Sequence, residues 1–214
     1  MSELEEVSPP PRLLLITPPQ IDLAVFAAAL PEVLDAGDVA CVQLRFPDLP
    51  VEARIAAIRH LVPLIQAQDI AVTIANDVAL AVQVGADGVH LEAPSLKAVR
   101  AARKALPDGI VGISAGGSRH LALELAEEGV DYVSFGPCFA SATVDTPPLE
   151  SLEPLLWWAE IMTVPAVAVG GITAERATDI ASTGVEFLAV CSFVWSHPDG
   201  PATAVAALTA AVAS

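Results

Sequence analysis

Two stretches of the chain end in polar residues suited to holding an anion. In "CVQLR", Gln43 and Arg45 stand two apart, so on a strand they share one face. A planar guanidinium presented there clamps a phosphate through two parallel N–H bonds. The plainer reading pairs Arg45 with an acid such as Asp48 at the strand end, but cations are scarce nearby, which favours the phosphate role. "VAVGGIT" closes on Gly170-Gly171 and "AVCS" on Cys191-Ser192. Glycines there let backbone N–H groups approach an anion, and Ser192 adds a hydroxyl. The plainer reading of Gly170-Gly171 is a tight turn.

The stretch "ANDVALAVQVGADGVHLEAPS" poses a different question. Asn76-Asp77 follow one apolar run, and His90, Glu92 and Ser95 close the next. An acid at the end of a buried strand marks a metal or phosphate site, or simply caps the following helix. His90 alone among the four histidines falls on a strand-like run. It has the chemistry of a general base, but a buried, hydrogen-bonded histidine is the expectation. Ser114 ends the run "GIVGIS".

These residues need a scaffold that brings strand ends together. A glycine, an acid and an apolar run recur four times: "GDVACVQLR", "GADGVHL", "GVDYVSFG" and "GVEFLAVCS". Each glycine is expected to end the preceding helix in a left-handed conformation. Four more runs lie between or before them: "RLLLIT", "DIAVTIA", "GIVGIS" and "VPAVAVGG". All eight are short, continuous and rich in aliphatic residues, as strands buried on both faces are. Ala-rich helical stretches such as "VEARIAAIRHLVPLIQAQ" and "LKAVRAARKAL" separate them. Eight alternating units predict a single (β/α)8 barrel over residues 12–214, preceded by a disordered tail at 1–11. No G-x-G-x-x-G opens a first helix, which weakens an open doubly wound sheet. In a barrel the chemistry sits at the C-terminal ends of the strands, and phosphate binds after strands seven and eight. Both lysines, Lys97 and Lys104, fall on one outer helix, which disfavours a Schiff-base aldolase.

Bulk properties narrow the partners. The net charge of −16 leaves no basic stripe for nucleic acid. No uncharged run is long enough to cross a membrane. The acidic, Pro-rich start "MSELEEVSPPP" lacks the pattern of a secretory signal. Cys41, Cys138 and Cys191 are irregularly spaced and read as free thiols in a reducing cytoplasm. Trp157-Trp158 could mark an exposed partner face, although at least one of the two is expected in the core; a homodimer is the assembly allowed for.

The elements "VQLR", "ND" before "LAVQVGADGVHL", "VGIS", "GVDYVSFGP" and "VAVGGIT…GVEFLAVCS" occur in an order that resembles the thiamine phosphate synthase and thiazole tautomerase family. The resemblance runs from about Leu14 to Val194. It implies a transferase of thiamine biosynthesis acting on small phosphorylated heterocycles. A pyrimidine diphosphate loses pyrophosphate, and the nitrogen of a thiazole phosphate captures the resulting carbocation-like species. By the same resemblance, Arg45 and Asn76 take catalytic positions. Gln43, His90, Ser114, Ser141 and Thr143 contact substrate, Gly170, Gly171, Cys191 and Ser192 hold phosphate, and Asp77 holds Mg2+. Four positions depart from the pattern: Pro47 and Val144 replace lysines, Ser95 replaces a metal-binding acid, and Gly116 stands where the tautomerase has a histidine. Glu92 would have to stand in for Ser95. Two alternatives therefore stay open: a thiazole phosphate tautomerase, and a non-catalytic binder with an eroded pyrophosphate site.

Overall fold

The computed structural model describes residues 9–141 and 146–213. Its strands are β1 (Arg12–Ile16), β2 (Val39–Leu44), β3 (Ala71–Ala75), β4 (Gly88–Leu91), β5 (Ile110–Gly116), β6 (Tyr132–Phe135), β7 (Ala166–Val169) and β8 (Phe187–Val190). Between and after them run α1 (Leu23–Asp35), α2 (Val51–Gln66), α3 (Val78–Val84), α4 (Leu96–Ala105), α5 (Arg119–Ala126), α6 (Glu153–Ile161), α7 (Ala174–Ala181), α8 (Ser192–Trp195) and α9 (Pro201–Val212). The strands pair in parallel in chain order and close into a barrel, β8 returning to β1. All eight expected strands form, mostly trimmed at their ends, whereas β5 continues past Ser114 to Gly116. Pro9 and Pro10 of the expected tail are exposed and Pro11 is buried, while residues 1–8 lie outside the described residues.

Alternation along the strands makes two cores. Outward residues such as Leu13, Val42, Ile74, Val89, Ile113, Phe135 and Leu188 pack beneath the helices. Inward residues Leu14, Cys41, Tyr132, Val167 and Ala189 form a separate cluster inside the barrel. Tyr132 fits there because Gly112 opposite has no side chain; a Cβ on Gly112 would lie 2.0 Å from the Tyr132 ring.

The repeated glycine-acid pattern has a structural meaning. Its acids sit where the even-numbered strands begin and hold the preceding strand. Backbone N–H groups of Val72, Val111 and Ala166 donate to Asp87, Asp131 and Glu186, each at 2.7 Å. The fourth acid, Asp38, instead takes the Arg12 side chain at 2.8 Å. Gly85, Gly129 and Gly184 adopt the expected left-handed conformation. Gly37 does not; it is there because a Cβ would come within 2.1 Å of Thr209 on α9.

Helix starts are capped from within the sequence. Asp22, Asp77, Ser95 and Ser118 accept backbone N–H bonds at the beginnings of α1, α3, α4 and α5. Trp158 is wholly buried and donates to the Val164 carbonyl at 2.7 Å. Trp157 is half-buried, with the Arg119 guanidinium 4.7 Å over its ring. No helix among the described residues is long and apolar enough to cross a membrane.

Candidate active site

A cavity of about 360 Å³ opens at the C-terminal ends of the strands. Polar groups line it from β2 (Gln43 and, just beyond, Arg45), β4 (His90 and the following Glu92), β5 (Ser114) and β6 (Ser134). Ile16, Pro137, Val167, Val169 and Ile172 supply apolar wall. The inward faces of seven strands, all but β3, therefore continue from the barrel interior into this cavity. That periodicity is why Gln43 follows Cys41 and Arg45 follows Gln43 on the same side.

The floor carries a continuous hydrogen-bond chain. His90 Nδ1 lies 2.9 Å from the Tyr132 hydroxyl, and its Nε2 lies 2.9 Å from Ser114 Oγ. Ser114 Oγ is in turn 3.1 Å from Ser134 Oγ. Burial, with a smaller push from the Arg45 charge, lowers the His90 pKa to about 4. The imidazole is neutral at pH 7, with one nitrogen donating and the other accepting. The expected buried, satisfied histidine is thus observed, and its partner is one of the residues assigned to substrate. Burial also pushes the Tyr132 hydroxyl well above its ordinary pKa, so it stays protonated.

The expected phosphate residues meet at one wall. Gly170, Gly171, Cys191 and Ser192 all line the cavity from the neighbouring ends of β7 and β8. Gly170 and Gly171 have φ of 97° and 64°, in the region that favours glycine. A Cβ on Gly171 would lie 2.5 Å from the Ala140 carbonyl oxygen. Arg176 holds this loop, donating to the Gly171 carbonyl at 2.7 Å while its guanidinium covers Phe139. The Cys191 thiol points to the Thr17 carbonyl at 3.6 Å, and burial pushes its pKa to about 11, so it is no thiolate nucleophile. All three cysteines are free.

Asn76 and Asp77 fall elsewhere. They line a smaller cavity of about 130 Å³ with Pro47 and Arg54. Arg45 and Glu92 line both cavities and form an ion pair between them. Asn76 adopts φ 58° and donates its backbone N–H to the His90 carbonyl at 2.8 Å. Its side-chain amide donates to Glu92 Oε2 and accepts from the Glu92 backbone N–H, both at 2.8 Å. Asp77 Oδ1 caps α3 through Leu80 N at 3.0 Å, and Oδ2 faces Arg54 at 3.6 Å. Ser95 caps α4, accepting from Ala98 N at 3.2 Å.

Of the remaining expected residues, Ser141 lines the main cavity, and Thr143 and Val144 lie outside the described residues. Gly116 also lines the main cavity. Lys97 and Lys104 are exposed on α4, and His60 and His120 are exposed as well. Sequence reasoning missed Tyr132, Ser134, Arg54 and Arg176. The signal for Ser134 was available, since it follows Tyr132 by two on the inward face of "YVSF".

A family profile described as thiamine monophosphate synthase matches residues 13–194. A thiamine-phosphate synthase of Rhodospirillum centenum is 49% identical over 195 residues, covering 91% of this chain and 94% of that protein. This chain belongs to the thiamine-phosphate synthase family. A second relative of the same name, from Hyphomonas neptunium, is 41% identical and covers 98% of this chain and 97% of its own length. Among solved structures, a thiamine phosphate pyrophosphorylase from Pyrococcus furiosus superposes with a TM-score of 0.79 at 28% identity, covering 94% of this chain and 95% of its own. A 3-hexulose-6-phosphate synthase superposes with a TM-score of 0.73 at 20% identity over 93% of this chain and 99% of its own, a likeness of fold alone. The family is one of transferases, and the relatives favour neither the tautomerase nor the non-catalytic binder.

Proposed function

We propose that this chain makes thiamine phosphate from a hydroxymethylpyrimidine diphosphate and a thiazole phosphate, releasing pyrophosphate. The observation that carries the reading is the convergence of Gln43, Arg45, Ser114, Gly170, Gly171, Cys191 and Ser192 on one cavity. The glycine wall receives the thiazole phosphate through backbone N–H groups, which suits an acidic protein with few cations to spare. Ser114, fixed by His90, and buried Gln43 present polar groups to the heterocycles. The apolar wall keeps water from a carbocation-like species that would otherwise be hydrolysed.

The diphosphate end belongs at Arg45, where the two cavities meet. Arg45 balances charge as the pyrophosphate departs, and Asn76 offers an amide beside it. By the resemblance, Pro47 stands in a lysine's place, but Arg54 lines the same small cavity and supplies a cation there. Among the described residues no three His, Cys, Asp or Glu side chains gather as a complete metal site. Magnesium commonly takes one or two carboxylates and fills its shell with substrate phosphate and water, so a site with a single acid is compatible with it. Asp77 would hold it, and the ion would neutralise charge on the leaving pyrophosphate. Three free thiols suit a reducing compartment, and we place the activity in the cytoplasm.

The test is a direct product assay. Purified protein with pyrimidine diphosphate, thiazole phosphate and magnesium should yield thiamine phosphate by mass spectrometry. Arg45→Ala should lower kcat by about 10²-fold or more, the loss typical of one transition-state donor. Absence of product with the unaltered protein overturns the reading.

A further inference from the structure

We infer that Glu92 is an internal stand-in for the diphosphate: its carboxylate occupies Arg45 and Asn76 in the empty enzyme and must be displaced when substrate binds. This rests on the reading of Arg45 as the diphosphate contact. The carboxylate takes the Arg45 guanidinium with one oxygen and the Asn76 amide with the other. Those are the two donors assigned above to the departing pyrophosphate. A carboxylate on a guanidinium is the same chemistry as a phosphate oxygen on it.

The anchoring allows exchange. The Glu92 backbone N–H donates separately to Asn76 Oδ1 at 2.8 Å, so the loop stays fixed when the side chain leaves. About a third of the Glu92 side chain is exposed, and Arg45 is exposed to a similar extent, so the carboxylate can swing to solvent. Neither oxygen caps a helix or holds a strand, unlike Asp77, Asp87 or Asp131.

The consequence is a charge threshold. A diphosphate carries more negative charge than a carboxylate and wins Arg45; a neutral heterocyclic alcohol does not compete. After turnover the same carboxylate reclaims Arg45 and speeds release of pyrophosphate. Glu92 is therefore a specificity-determining residue and not the metal ligand that its acidity suggests, and the two roles predict opposite signs.

Inorganic pyrophosphate binding, measured by titration calorimetry with and without magnesium, separates them. Glu92→Gln and Glu92→Gly should each bind pyrophosphate about two- to fivefold more tightly than the unaltered protein, the scale of a partly exposed ion pair. Product inhibition by pyrophosphate should deepen by the same factor. Circular dichroism confirms that each variant is folded. Unchanged or weaker binding in both variants, while the unaltered protein still binds, overturns the stand-in role and leaves the site reading intact. If neither the unaltered protein nor the variants bind pyrophosphate, the diphosphate site itself is misplaced, and both readings fall.

Discussion

His90 shows how one side chain ties stability to the site. It is neutral in the fold because burial lowers its pKa to about 4, whereas an unfolded histidine titrates near its ordinary value of 6.5. Between these values the unfolded chain binds one proton more than the folded one, so stability rises with pH through that window and is lost as pH falls. The contribution lost between pH 7 and pH 5 is about 2 kcal/mol. Urea unfolding at the two pH values should show it, and His90→Gln, which cannot gain that proton, should be less acid-sensitive by the same amount. A variant with the unaltered protein's pH slope would mean that other groups set the acid response. That Gln43, Arg45 and the Gly170-Gly171 pair lie at strand ends facing one cavity was legible in the sequence, because period-two alternation and strand ends are local facts. The ties of Glu92 to Arg45 and Asn76 were not legible, because they join the ends of three strands. The left-handed backbone at Asn76 likewise shows itself only once the His90 carbonyl is in place to receive its N–H.

At the scale of elements, the recurring acids prove to be structural. Asp131 illustrates the pattern: it accepts the Val111 N–H at 2.7 Å and also pairs with Arg103 on α4. One carboxylate therefore fixes the start of β5, the turn before β6 and a helix. Asp131→Ala leaves the Val111 N–H without its acceptor next to a buried side chain, and should cost about 1–3 kcal/mol in chemical denaturation. Asp131→Asn, which keeps an acceptor oxygen, should recover part of that. An alanine variant as stable as the unaltered protein would show that water replaces the bond freely. The eight strands were legible because aliphatic runs buried on both faces have little else to become. Which acids served chemistry and which served the scaffold was not, since both kinds stand beside strand ends. Asp87, Asp131 and Glu186 lie where even strands begin, and Glu92 lies where one finishes; only the closed barrel separates those two rims.

The whole molecule carries a net charge of −16, and its proposed substrates are anions. The field outside the cavity therefore repels the anions that Arg45 and the glycine wall are proposed to hold within it. Salt screens exposed charges over roughly 10 Å at 0.1 M, so it weakens the long-range repulsion more than the short contacts. At subsaturating substrate, kcat/KM should rise as ionic strength increases from about 0.01 M to 0.1 M. A steady fall over that range would mean that attraction at the cavity mouth already dominates the approach.

The seam between β8 and β1 bears on how the chain is made. Trp195, just past β8, donates its indole N–H to the Ile16 carbonyl at 2.7 Å across 179 positions of sequence, and Phe26 of α1 packs against the same ring. During synthesis β1 emerges early and meets β2 at once, yet its other side has no partner until β8 leaves the ribosome. Any sheet that forms before β8 emerges therefore has two unpaired edges. Closure joins the strands farthest apart in sequence, and contacts of that separation form slowly. Edges left open in this way are the ones that could pair with another copy, so the last strand to be made also removes that hazard.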